Sequence, residues 1–320
     1  MYRHLLQTVL CFYLWTSLCI DATTDVESRI VGGNNATSFV CSHTVAIRQV
    51  NRDFLCNGVL ISPRDVLTAA SCVYNGNTLR NASELQVVAG TIVNSASAPG
   101  AVRLSVAQFW LNPGHKPSTR TGDVALLRLN SSLATGGIAS IAIAQLGTQL
   151  PAVNQTCSLC GWGSNTTTGS PATILQTISL NVQSSTSPNC TRAAGGAALP
   201  AHAICAGDPL QAGRGACTND GGAPLVCNGA LHGVLTNTGG CGGLHEVSVF
   251  ADTVAHLAWI RNRTQTEAVV VPPGNNTNNN PGGNKPGGNK PGGGKPGGSA
   301  QASLQLGMMM IAVVTAFVLR

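Results

Sequence analysis

The sequence predicts an all-β, disulfide-bonded domain with one terminal helix, followed by a disordered stalk. Three observations carry this. Only 9% of the 320 residues are charged and 4% aromatic, while 38 glycines break the chain into short segments. The apolar segments "HTVAIRQV", "NGVLISPRDVLTAA", "LQVVAG", "VALLRL" and "TISLNVQ" have the length and spacing of strands separated by turn residues. Twelve cysteines accompany a leader of secretory type.

The leader, "MYRHLLQTVLCFYLWTSLCI", places Arg3 before an apolar run. It reads as a signal peptide over residues 1–22, cut near Cys19 to Ala22, with a propeptide over 23–29. A signal anchor is the alternative, for which the run is short. Removing Cys11 and Cys19 leaves ten cysteines in an oxidising compartment, so five disulfides are expected. Asn-x-Ser/Thr sites at Asn35, Asn81, Asn130, Asn154, Asn165, Asn189, Asn262 and Asn275 suit the same route.

The folded region spans 30–264. Near its end, "DTVAHLAWIRNR" sets Val254, Leu257, Ala258 and Ile260 at helical spacing after a capping Asp252. Residues 265–298 then form an Asn/Pro/Gly/Lys-rich tract with a five-residue Pro-Gly-Gly-x-Lys repeat. It offers no apolar surface to bury, so it is expected to be a disordered stalk. Such a chain spans about 30 Å on average and about 80 Å when stretched. Its glycine period is not three, which excludes collagen. Residues 299–320 carry the apolar run Leu304 to Leu319, short of the roughly 20 residues of a membrane span. Small residues Gly298, Ser299 and Ala300 precede it, as in a signal for glycosylphosphatidylinositol attachment at Gly298 or Ser299. A short tilted transmembrane helix is the alternative. Either way the domain is expected outside the plasma membrane.

Formal charge is +6 over the whole chain. Without residues 1–29 and the tail after Glu267, 12 basic and 9 acidic residues remain. That balance is weak for a nucleic-acid or heparin-like partner. No histidine stands at metal-ligand spacing with another ligand, so neither metal nor cofactor is expected.

Five motifs occur in order: "RIVGG" from Arg29, "VLTAASC" ending at Cys72, "GDVALLRL" around Asp123, "CGWG" from Cys160, and "NDGGAPLVC" ending at Cys227. Together, from Ile30 to about Arg263, they resemble the chymotrypsin-like (trypsin-like) serine protease family. The resemblance implies two six-stranded Greek-key β-barrels with a cleft between them. It also implies disulfides Cys56–Cys72, Cys157–Cys227, Cys190–Cys205 and Cys217–Cys241. Cys41 and Cys160 are then left over and are expected to bond each other.

Family catalysis needs a serine, a histidine that takes its proton, and an aspartate that orients the histidine. By resemblance these positions are Gly221, Ser71 and Asp123. Glycine has no nucleophilic atom, and a serine hydroxyl is no base at neutral pH. None of His43, His115, His202, His232, His245 and His256 has a serine motif beside it; His232 is expected in a strand and His256 in the helix. Asp123 is expected to be structural, bonded by Ser71 or Thr236. Asn219 replaces the oxyanion-hole glycine and is expected to hinder the left-handed backbone there. At the pocket, Gly215 stands at the base, Thr236, Asn237 and Thr238 on the substrate-pairing strand, and Ser248 at a wall. Thr238 and Ser248 are expected to crowd it. Arg29, Ile30 and Asp220 match the family's activation switch, in which cleavage frees an ammonium that pairs with the buried aspartate. They persist either as relics of the fold or as a working switch.

The expectation is a monomeric, non-catalytic homologue that binds an unidentified protein at the cell surface, as cofactor, decoy or adhesion molecule. Azurocidin, a strongly basic family member, is similar in both catalytic replacements. A weak or unconventional peptidase and a glycosylated structural coat protein are the alternatives.

Overall fold

The computed structural model describes residues 30–265 apart from 38–39, 52, 96 and 135–140. The leader with Arg29, the stalk with Asn275, and the tail with Gly298 and Ser299 lie outside the described residues.

After β1 (Asn34–Asn35) come β2 (Thr44–Gln49), β3 (Phe54–Leu60) and β4 (Asp65–Thr68), then the small hairpin β5 (Tyr74–Asn75) and β6 (Thr78–Leu79). The strands β7 (Leu85–Ala89), β8 (Val102–Leu111) and β9 (Ala125–Leu129) follow, and the order β2-β3-β4-β9-β8-β7 closes into a barrel. The second half contributes β10 (Gln145–Leu146), β11 (Thr156–Gly161), β12 (Gln176–Val182), β13 (Ala203–Gly207), β14 (Pro224–Cys227), β15 (Ala230–Asn237) and β16 (Ser248–Asp252). Its path β12-β11-β14-β15-β16-β13 closes through a β12–β13 pairing, with β1 added to β12 and β10 parallel to β15. The expected pair of six-stranded barrels is thus present.

Strand alternation explains why the barrels pack as they do. On β9, Ala125, Leu127 and Leu129 point into the first barrel with Ile47, Leu60 and Val66. Leu126, between them, faces the opposite way and joins Val59 and Leu67 against Leu231, Val234 and Ala251 of the second barrel. A strand buried on both faces reads as a continuous apolar run, as "VALLRL" does.

Two α-helices are described. The first, α1 (Pro188–Ala193), was not anticipated, although Ser187 accepts from the Asn189 N–H (3.3 Å) and Pro188 stands in the first turn. The second, α2 (Leu257–Gln265), starts later than its apolar spacing suggests. Asp252 ends β16, and its Oδ1 accepts from the Val254 N–H (2.7 Å), so residues 253–256 form a turn. His256 therefore lies just before the helix, not within it. Ile260 locks α2 into the layer between the barrels. Arg128 holds Asp65 at 2.5 Å and donates to the Arg263 carbonyl (2.9 Å), and both guanidinium groups lie over the Trp110 ring.

All five expected disulfides form: Cys41–Cys160, Cys56–Cys72, Cys157–Cys227, Cys190–Cys205 and Cys217–Cys241. With the fold, they place the domain in the secretory route or outside the cell. Of the described sequons, Asn35, Asn81, Asn130, Asn154 and Asn262 are exposed, while Asn165 and Asn189 are half-buried. Among the described residues no helix is long and apolar enough to cross a membrane.

Candidate functional site

The site forms where loops of the two barrels meet. Ser71 sits in a 3-10 turn (Ala70–Val73) after β4, and Asp123 in the loop before β9. Asp123 is fully buried, and both of its oxygens accept from Ser71: Oδ1 from the N–H at 2.7 Å, Oδ2 from the hydroxyl at 3.0 Å. Burial raises its pKa; the Ser71 N–H, the charge of His115, the Ser71 hydroxyl and Arg120 act in the opposite direction. Ser71 is the expected partner. Thr236 is not, because its hydroxyl donates to the Val249 carbonyl (3.2 Å).

His115 is the residue the motifs did not reveal. Its Nδ1 lies 3.9 Å from Asp123 Oδ1, its ring 6.1 Å from that of Tyr74, and its side chain is only 4% exposed. That distance is too long for a hydrogen bond, and neither ring nitrogen has a partner. His115 and Ser71 line one hollow of about 360 Å³. A histidine therefore does stand by the serine, brought there by folding. Arg120 was also missed. It adopts a left-handed backbone (φ 54°) and donates across the cleft to the Thr236 carbonyl. Arg120 also lines a second hollow of about 430 Å³.

The loop after β13 is held to the first barrel by Asn57, a fully buried amide in the otherwise apolar β3. Its N–H donates to the Gly221 carbonyl (2.8 Å) and its Nδ2 to the Asn219 carbonyl (3.0 Å), while its Oδ1 accepts from Trp162 N–H (3.0 Å). Gly222 adopts φ 77° there, and a Cβ would fall 2.1 Å from the Asn57 carbonyl oxygen. The expected hindrance at Asn219 is not found: its backbone is left-handed at φ 71°. Asparagine tolerates this conformation, and here its Nδ2 also donates to Gly169 O (3.1 Å). At Gly221 an added Cβ would meet only the Cys56 and Cys72 sulfurs, at 3.5 and 3.8 Å, so packing does not demand glycine.

Asp220 is fully buried and accepts from the Gly163 N–H (2.8 Å) and the Cys217 N–H (3.0 Å). Burial outweighs these bonds and pushes its pKa up to about 7. Gly163 is glycine for contact reasons, since a Cβ would lie 2.1 Å from the carboxyl. Ile30 is fully buried in the cluster that includes Ala216 and Ala223, on either side of Asp220, and Val31 bridges to Gly215.

The pocket positions are engaged internally. Ser248 is buried and donates to the Thr238 carbonyl (3.0 Å), joining these two pocket positions. Asn237 donates to Ala193 O (2.8 Å) and accepts from Gly239 N–H (3.3 Å). A Cβ on Gly215 would come within 3.0 Å of Gly242 Cα. Glu246, a further residue the motifs passed over, accepts from the Cys241 and Gly243 amides (2.8 and 2.7 Å).

Residues 30–260 match the family model described as Trypsin, and the chain belongs to that family. Trypsin alpha-4 of Lucilia cuprina is 30% identical over 235 residues, 73% of this chain and 87% of that protein. Kallikrein 1-related peptidase b24 of Mus musculus is 29% identical over 256 residues, 76% and 92% of the two chains. The solved structure of neuropsin, a serine protease expressed in the limbic system of mouse brain, superposes with a TM-score of 0.61 at 26% identity. It covers 72% of this chain and 98% of that one.

Proposed function

We propose that this trypsin-family chain is a non-catalytic homologue that acts by binding proteins at the cell surface, as cofactor, decoy or adhesion molecule. The observation that carries the reading is the pairing of Ser71 with Asp123 in a site whose position 221 has no side chain. Both oxygens of the carboxylate at the position that orients the family's histidine accept from a serine instead. Two further contacts support it. Arg120 occupies the Thr236 carbonyl, and Ser248 ties Thr238 across the pocket, so a substrate strand meets acceptors already in use.

A weak hydrolase with Ser71 as nucleophile is the second reading, favoured by the proximity of His115 to Asp123. Against it, the Ser71 hydroxyl donates to Asp123, and neither ring nitrogen of His115 makes a hydrogen bond among the described residues. General-base catalysis needs the base within hydrogen-bond reach of the proton it removes. A fluorophosphonate probe, which marks activated serines, is expected to leave the purified, Arg29-cleaved protein unlabelled. Labelling lost on Ser71→Ala substitution would establish the hydrolase instead.

Display follows from the tail. A lipid attached at Gly298 or Ser299 would hold the glycosylated domain on its stalk at the outer face of the plasma membrane, with no spanning segment. Phosphatidylinositol-specific phospholipase C is then expected to release the protein from intact cells. Retention, with peptides beyond Leu304 recovered from the membrane fraction, would identify a transmembrane helix.

A further inference from the structure

We propose that the cleft binds an acidic peptide segment, with one of its carboxylates seated between Arg120 and His115. This rests on the binding reading above and gives the partner a chemistry.

The Arg120 guanidinium carries five N–H donors in a fixed fork matched to carboxylates. One of its nitrogens donates to the Thr236 carbonyl, and among the described residues no carboxylate lies within ion-pair distance of the group. The residue is exposed and borders both hollows, so its remaining donors face the space a ligand would enter. No acidic residue lines either hollow.

His115 supplies the independent observation. Its buried ring has two nitrogens without partners and faces the 360 Å³ hollow together with Ser71, Asn77 and Arg120. Buried polar atoms in folded proteins are nearly always bonded, so such a ring points to a ligand group that completes it. A carboxylate accepting from an imidazole N–H and from Arg120 gives one of the two nitrogens a partner. Asp123 Oδ1 stands 3.9 Å from His115 Nδ1, so a bound carboxylate would meet a like charge that Arg120 and the imidazole must offset. The surrounding charge agrees: Lys116 is exposed on the same loop, and Arg80 is bonded to the Tyr74 carbonyl beside the hollow.

A peptide fits better than a sulfated polysaccharide. The 430 Å³ hollow combines the side chains of Ser118 and Thr119 with the apolar surfaces of Ala198, Pro200 and Val249, which suits amino-acid side chains. A polysaccharide needs an extended track of cations, and the balance of 12 basic to 9 acidic residues over 30–267 provides none.

The test uses the protein purified from secreting cells and three fluorescent probes: capped hexaglutamate, capped hexaglutamine and a heparin hexasaccharide. Anisotropy should show hexaglutamate binding, weakened at least tenfold by 300 mM salt and by either Arg120→Gln or His115→Gln, with hexaglutamine silent. Arg120→Lys should retain part of the affinity. The inference is overturned by absent hexaglutamate binding, by equal binding in the folded Arg120→Gln protein, or by preference for the hexasaccharide. Should hexaglutamate fail while the fluorophosphonate probe also leaves the protein unmarked, the acidic ligand is wrong and the non-catalytic reading stands. Labelling of Ser71 sinks that reading, whatever the peptides do.

Discussion

Between pH 4 and 7 the uncleaved chain is expected to lose roughly 4 kcal/mol of stability through Asp220, a loss that cleavage after Arg29 abolishes. The folded-state pKa of Asp220 is raised from 3.8 to about 7. Across that window the folded chain keeps a proton the unfolded chain has released, so stability falls as pH rises and levels off above 7. About three pH units at about 1.4 kcal/mol each give the size. Cleavage would place the new Ile30 ammonium within the cluster around Asp220 and favour its charged form. His43, whose pKa is lowered to about 4, gains stability over part of the same window, but equally in both forms. The difference between urea unfolding curves of cleaved and uncleaved protein isolates Asp220. Parallel pH profiles would mean that "RIVGG" and Asp220 are relics of the fold.

Loss of the Cys41–Cys160 bridge is expected to lower stability by about 4 kcal/mol. The bridge joins positions 119 apart, and a cross-link of that span restricts the unfolded chain strongly. Cys41 itself sits at φ 67°, a conformation costly for most side chains. Cys41→Asn paired with Cys160→Ala therefore removes the bridge while relieving that strain, and should be less harmful than Cys41→Val with the same partner change. Equal midpoints for wild type and the asparagine double variant would show that the bridge adds nothing. The extra covalent tie runs from the segment before β2 to β11, close to Trp162.

Much of this architecture is visible in the sequence because it depends on local pattern. Short apolar runs broken by turn residues mark β2, β7 and β12, and the cysteines constrain how loops meet. Motif order offers Ser71 and Thr236 as partners of Asp123, and only the folded structure decides for Ser71. What escaped depends on contacts between residues far apart in the chain. Asn57 reaches Asn219 over 162 residues, and Arg120 reaches Thr236 over 116. Neither contact leaves a local signature beyond a lone amide in an apolar strand and an arginine in a glycine-rich loop. His115 stands eight residues before Asp123, yet only the turn through Gly114 and Gly122 folds it back onto the carboxylate. At Asn219 the glycine preference for a left-handed backbone misleads, because asparagine tolerates that conformation as well.

The central claim is that the site binds without turning over. A proteome-derived peptide library incubated with Arg29-cleaved protein and read by mass spectrometry tests it most directly, because it presumes neither a nucleophile nor a side-chain preference. No new peptide termini should accumulate above those produced by the Asp123→Ala, Ser71→Ala double variant. New termini made by the wild-type protein and lost in that variant would contradict the account and make this chain a peptidase.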